Sequence, residues 1–388
     1  MSMKLLIALC FYLLQPALWV GVIRTYLVHR NRVKRERQLF SSAIYEDFYE
    51  GRHFVRSGLI LGVVVSIVFG AFLSVSVQWL FLYELLMLVG LLIFPGQLFP
   101  VTTAGLVSVV TILVPHVPQL KPFVAWFKNI GLTGLKVNPL NFLIILTLII
   151  VGSCVFLHVN GGKFASPSLA RNQRNNRVAV YKFNEMSIIP FLMLVPGNWF
   201  VSRFPFMPMF QINGHSYAVL IIPILLGLKL TVKRSVPRSF FIRLSKSLMV
   251  LSGLGIVLVG IGYVAAKTIL PGIFILILGY YLSIWLAKHE DNRQKFEYSE
   301  VMDGIRVIGI QPETPAAKMN LQVGDVILTV NEIPVANEDE FYRALSTNST
   351  YCRFKVRDRN DQLKITETAI FKNSPHEIGV KTYTHPID

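Results

Sequence analysis

Long apolar runs recur along this 388-residue chain as far as Ala287, and several reach or exceed the ~18 residues of a bilayer-spanning helix. A secretory leader would account for the first run only. The segments fall at about 5–23, 58–80, 82–100, 102–118, 139–158, 187–201, 216–232, 247–265 and 268–287. This pattern predicts a polytopic α-helical membrane domain over 1–287, with roughly six to nine true spans. The short segments 187–201 and 216–232 flank the Pro- and aromatic-rich "FPFMPMFQINGH". They read as two short spans, or as one span plus a re-entrant piece.

The formal net charge of +16 raises the question of nucleic acid, but the cations sit in short loops between the apolar runs. Arg24, Arg30, Arg32, Lys34, Arg35 and Arg37 follow the first segment, against a lone Glu36. Arg171, Arg174 and Arg177 punctuate the loop 159–186, and Lys233, Arg234 and Arg238 precede the last pair of segments. This is the positive-inside pattern. It places all three loops and the C-terminus in the cytoplasm, with anionic lipids as the natural counter-ions. No aromatic-interleaved basic patch supports nucleic-acid binding.

Two further stretches have interfacial character. In 38–57, Phe40, Ile44 and Phe48 recur at helical spacing, which suits a helix in the inner interface or a solvated helix packed on loops. Between 121 and 136, Trp126, Phe123 and Phe127 mix with Lys121 and Lys128, as at headgroup depth on the outer side.

Catalytic patterns fail one by one. An HExxH zinc site needs its second histidine one helical turn on, yet His289-Glu290 leads to Arg293 and His376-Glu377 to Val380. "LSGLG" (251–255) has no plausible base beside its serine, and "RLSKS" lies in a basic loop. Cys10, Cys154 and Cys352 have neither CxxC nor zinc spacing, so no cofactor or metal is expected. Glu84 and His116 are the visible candidates for a proton path, and "FPGQLFP" and "LVPGNWF" interrupt apolar runs as transporter half-helices do.

After Ala287 the character changes. A charged linker, 288–297, leads to alternating strands at 305–310 and 325–330. A helix over 338–346 follows, capped by Asn337 with Glu340, and then a hairpin around "DRND". Gly304 before a strand, then "PETPAAKMNLQVGDVILTVNEIPV" with Leu321, Gly324, Asp325 and Ile327, resembles a bacterial PDZ domain over 298–372, followed by a tail, 373–388. The resemblance implies a small cytoplasmic α+β domain that binds peptides by strand addition. On this reading the open edge runs through Ile305, Arg306, Val307 and Ile308. The wall is the helix face with Phe341, Ala344 and Leu345, and the loop Met302, Asp303, Gly304 meets a chain end. Asp303 would repel a terminal carboxylate, so an internal peptide segment is expected.

The full layout, with "RVKRER" after the first span running on into "QLFSSAIYEDFYEG", resembles the MinJ-type cell-division factors. That resemblance implies a non-enzymatic scaffold at septum and poles whose partners are a MinD-type ATPase, a DivIVA-type curvature sensor and other divisome components. The competing reading is a transporter or intramembrane protease regulated by its PDZ domain.

Overall fold

The computed structural model describes residues 2–70, 72–93, 98–129, 137–196, 199, 209–212, 214–348, 350–369 and 378–383. Its first part holds helices α1 (Ser2–Leu13), α2 (Pro16–Phe40), α3 (Tyr49–Phe69), α4 (Val77–Ile93), α5 (Pro100–Leu113), α6 (Lys121–Asn129) and α7 (Leu140–Asn160). Strands β1 (Pro167–Arg171), β2 (Arg177–Pro196), β3 (Met209–Ile212) and β4 (His215–Val232) come next, then α8 (Pro237–Val264) and α9 (Ile269–Arg293). Among the described residues, four helices are long and apolar enough to cross a membrane, or five if the α1–α2 pair, bent by 53°, is one span. Helices α4 and α5 are apolar but shorter.

Of the two segments expected as spans or re-entrant helices, 187–201 and 216–232, the described residues 187–196 and 216–232 lie instead in the long antiparallel strands β2 and β4. Their sequences carry the reason. Pro190 and Pro223 lie inside the runs, Pro223 at the middle of its own, where a helix would lose a hydrogen bond and clash. They face each other across the ladder. The Pro190 carbonyl points away from β4 and accepts from the Ser66 hydroxyl at 3.2 Å, so the proline's missing N–H costs no ladder bond.

An apolar hairpin inside a helical bundle must satisfy both its edges, because little water is available to do so. On the β2 side α3 presents Gly58, Gly62, Ser66 and Gly70, one small residue every four positions. A Cβ at Gly58 would lie 2.7 Å from the Ile188 carbonyl oxygen, and one at Gly62 2.8 Å from that of Pro190. Ser66 also accepts from Leu192 N–H at 3.0 Å. Beyond the helix, Leu194 N–H donates to the Leu73 carbonyl and its own carbonyl accepts from Val75. On the β4 side the Tyr83 hydroxyl accepts from Leu225 N–H at 3.0 Å, and the Gln15 amide donates to the Ile221 carbonyl at 2.7 Å.

The three basic stretches gather at one end, and the first, Arg24 to Arg37, lies inside α2 rather than in the expected loop. Helix α2 ends at Ser41 in the left-handed conformation, and residues 41–48 form bends rather than the helix expected over 38–57. These bends wrap around Arg32, which donates to Glu50 at 2.6 Å, to Glu36 at 3.2 Å and to the carbonyls of Tyr45 and Asp47. Glu36 accepts in turn from the N–H of Ile44. Arg238 donates to the Gly161 carbonyl, and Arg35 to Ser166. The side chains of Phe123, Lys121 and Lys128, and residues 94–97, 197, 198 and 200 of the interrupting motifs "FPGQLFP" and "LVPGNWF", lie outside the described residues.

The C-terminal part holds β5 (Ile305–Arg306), β6 (Gly309–Ile310), α10 (Pro315–Lys318), β7 (Val326–Val330), β8 (Ile333–Pro334), α11 (Glu338–Ser346), β9 (Tyr351–Arg357), β10 (Leu363–Ala369) and β11 (Val380–Lys381). One sheet runs β10-β9-β7-β5, with β8 paired to β7, while β6 pairs separately with β11. Residues 288–297, expected as a free linker, are largely helix. Asp291 is buried near the end of α9, accepting from the backbone N–H of Lys233, Arg234 and Ser235.

Candidate functional site

The frame around "GDVILTVNE" is built as its sequence suggests. Gly324 adopts φ +108° before β7, and Asp325 accepts from Gln322 N–H at 3.0 Å and from the Lys364 ammonium at 2.7 Å. Asn331 and Glu332 take positive φ in the two-residue β7–β8 turn. Asn331 also clamps the fold, accepting from Arg353 N–H and donating to the Ala344 carbonyl. Asn337 caps α11 by accepting from Glu340 N–H at 2.9 Å, while the Glu340 carboxylate reaches back to Ala336 N–H.

The expected binding edge is taken in part: β5 ends its sheet, while Ile308 and Gln311 beyond it bond a later segment. Ile305 and Arg306 pair with Ile327 and Val326 of β7. Val307 is fully buried in the domain core, and Ile308 donates through its N–H to the Lys381 carbonyl at 2.9 Å. Gln311 N–H likewise bonds the Gly379 carbonyl. Gly304 is buried at φ +91°, where a Cβ would sit 2.6 Å from the Ile327 carbonyl oxygen. Met302 and Asp303 lie exposed on the bend leading to β5. Arg306 is spent on the carbonyls of Ser299 and Gly324. The cavity bordering Gly304, Ile305 and Arg306 measures about 40 Å³, room for ordered water rather than a peptide.

The stretch from Ile308 to Gln311 is occupied because a segment some 70 residues later in the chain pairs with it, a non-local contact that no local pattern announces. Pairing alternates along an antiparallel strand. With Gly379 and Lys381 bonded to β6, the N–H and C=O of Val380 and Thr382 point to the other side, where no described strand pairs. Ile378 and Val380 pack in the same core cluster as Phe341 and Ala344, with Leu345 beside it. Val380 and Thr382 are themselves buried, the Ile378 carbonyl on that side accepts from Ala316 N–H, and Phe341 and Ala344 of α11 serve the core. Residues 370–377 lie outside the described residues.

The module is docked against the helical part. Ser299 bridges Val178, and Arg177 forms a fork of hydrogen bonds to Glu300. Tyr181, Tyr298, Ile308 and Tyr383 form one buried cluster with Phe40 and Ile44. The Tyr383 hydroxyl donates to the Tyr298 carbonyl at 2.6 Å and accepts from Ala179 N–H at 2.9 Å. Lys381 reaches Ser42 at 2.6 Å. The basic residues read as topology signals thus divide. Arg24, Arg32, Arg35, Arg177, Arg234 and Arg238 make structural bonds. Arg30, Lys34, Arg37, Arg171, Arg174 and Lys233 are exposed.

Of the intramembrane candidates, His116 is exposed in the turn after α5 and bonds the Ile112 carbonyl at the end of that helix. Glu84 keeps one buried oxygen without a hydrogen-bond partner. Among the described residues, no three His, Cys, Asp or Glu side chains form a metal-binding group.

Comparison with known proteins adds the following. A PDZ domain family model matches residues 282–365. The cell division topological determinant MinJ of Bacillus subtilis (strain 168) is 28% identical over 385 residues, covering 98% of this chain and 95% of the relative. The probable cell division topological determinant MinJ of Lacticaseibacillus paracasei is 27% identical over 385 residues, covering 97% and 98%. Among solved structures, the PDZ domain of the SdrC-like protein from Listeria monocytogenes aligns with 21% of this chain and 90% of its own length, at 20% identity and a TM-score of 0.18. The chain is similar to MinJ proteins along nearly its whole length, and it joins an apolar, mainly helical N-terminal region to a C-terminal PDZ domain.

Proposed function

We propose that this chain is a non-enzymatic topological determinant of bacterial cell division, a membrane-held scaffold whose PDZ domain faces the cytoplasm. The observation that carries the reading is the end-to-end similarity to MinJ proteins, which spans the helical region and the PDZ domain together. The gathering of the basic stretches at the end where the PDZ domain docks supports the cytoplasmic placement. A scaffold of this kind connects a MinD-type ATPase with a DivIVA-type curvature sensor, and the bilayer raises its effective concentration near membrane-associated partners.

A fluorescent fusion tests the scaffold directly. It is expected to concentrate at septa and poles, and deletion is expected to give filaments or misplaced septa. Uniform membrane fluorescence with normal division would refute the proposal.

A further inference from the structure

Between α2 and the hairpin lies a cavity of about 620 Å³ that the scaffold reading leaves unused. Its polar end is set by strand alternation. Lys182 faces Thr231 across the β2–β4 ladder, and Asn184 faces Lys229, so all four project from one side of the sheet. Helix α2 crosses that side. Arg24 donates to the Asn184 side-chain oxygen at 3.1 Å, and Arg35 lines the cavity one helical stretch further on.

The charges here do not balance. The two carboxylates that line the cavity are already engaged: Glu50 accepts from Arg32 at 2.6 Å and Glu185 bonds His53 at 2.6 Å. Glu36, beside Arg35 in sequence, is held by Arg32. Among the described residues, Arg35, Lys182 and Lys229 have no carboxylate within ion-pair distance, and the Arg35 Nε is buried without a hydrogen-bond partner. Burial, Arg35 and Lys229 together hold the Lys182 amine below its ordinary range, which fits a cation cluster awaiting an anion.

The other end of the cavity is apolar. Ile23, Leu27 and Leu92 line it and are each at least 45% exposed, continuous with an outer surface that also shows Trp19, Tyr26 and Ile93. A soluble phosphate would use only the cationic end. A ligand with an anionic head and a hydrocarbon tail uses both.

We propose that this cavity binds an anionic phospholipid, its phosphate between Arg35, Lys182 and Lys229 and an acyl chain along Ile23, Leu27 and Leu92. Tyr181, next to Lys182 on β2, bonds the PDZ domain, so a lipid held here braces the strand on which that domain docks. The site rests on reading the helical region as membrane-embedded.

The test uses the full chain in nanodiscs of mixed phosphatidylglycerol and phosphatidylcholine, with the lipid retained after detergent extraction counted by native mass spectrometry. Phosphatidylglycerol is expected to be retained in preference. Lys182→Gln and Lys229→Gln, both at exposed positions, are each expected to weaken retention about fivefold, and Arg171→Gln to leave it unchanged. Equal retention of the two lipids, or unchanged retention in both lysine variants, overturns the site. Full displacement by glycerol 3-phosphate also overturns it, pointing to a soluble phosphate. A chain that incorporates into no nanodisc fails the membrane reading itself, a separate outcome.

Discussion

The hydroxyl of Tyr181, on the longest strand of the helical region, donates to the carbonyl of Ile308 in the PDZ domain at 3.0 Å, and both residues are buried. The bond joins two parts of the chain that the sequence separates by a pair of long helices. It also lies beside the amide of Ile308 that holds Lys381, so docking and the placement of the last PDZ strand share a residue.

Tyr181→Phe is expected to leave that carbonyl unsatisfied in an apolar cluster, at a cost of about 1–3 kcal/mol. Hydrogen exchange should register it as faster exchange over 305–310 and 378–383, by about tenfold or more. The exposed Tyr351→Phe should change neither segment.

The small-residue row of α3 makes a steric prediction. Gly62→Val places methyl groups where the Pro190 ring and carbonyl already sit, and overpacking of this kind costs about 1–3 kcal/mol. The melting temperature of the purified chain should fall accordingly. Gly90→Ala, with no atom within 4 Å of the new carbon, should leave it unchanged or slightly higher.

Arg32 is the hub of a buried ion network at the cytoplasm-proposed end. Arg32→Ala strands Glu36 and Glu50 without their partner, which is expected to destabilise by about 3–5 kcal/mol. Loss of monodisperse protein on size exclusion, with normal behaviour of the exposed Arg30→Ala, checks this.

Cys352 gives a pH prediction. Burial pushes its thiol from 9.0 up to about 12, so at pH 8 the folded protein holds about a thousandfold less thiolate than an unfolded chain. Maleimide labelling of Cys352 should therefore report unfolding. The sign for stability follows. Below pH 9 the thiol is neutral in both states and costs nothing. From pH 9 towards 12 the unfolded chain ionises first, and stability falls. Comparison of the alkaline melting slope with Cys352→Ala checks the contribution.

Much of the architecture was legible. The apolar runs located α3, α7, α8 and α9, and the spacing of Leu321, Gly324, Asp325, Asn331 and Asn337 specified the PDZ frame, because each acts through neighbours a few residues away. The β hairpin was misread as two helical segments, although Pro190 and Pro223, each inside its run, were a usable signal. The pairing partner of Ile308 to Gln311 was not legible, for a deeper reason. A strand's own sequence states that it will pair, never with which segment, and residues 378–383 reach Ile308 only after the whole domain has closed.

The sequence by itself determined the division into an apolar region and a PDZ domain, since hydropathy and turn chemistry are local properties. Only the tertiary structure decided which strand edge is closed, which cations are bonded and which line a cavity, and how the PDZ domain meets the hairpin. Those outcomes depend on pairings between distant residues, where a buried backbone group or charge must find its partner and the remaining ones keep the surplus.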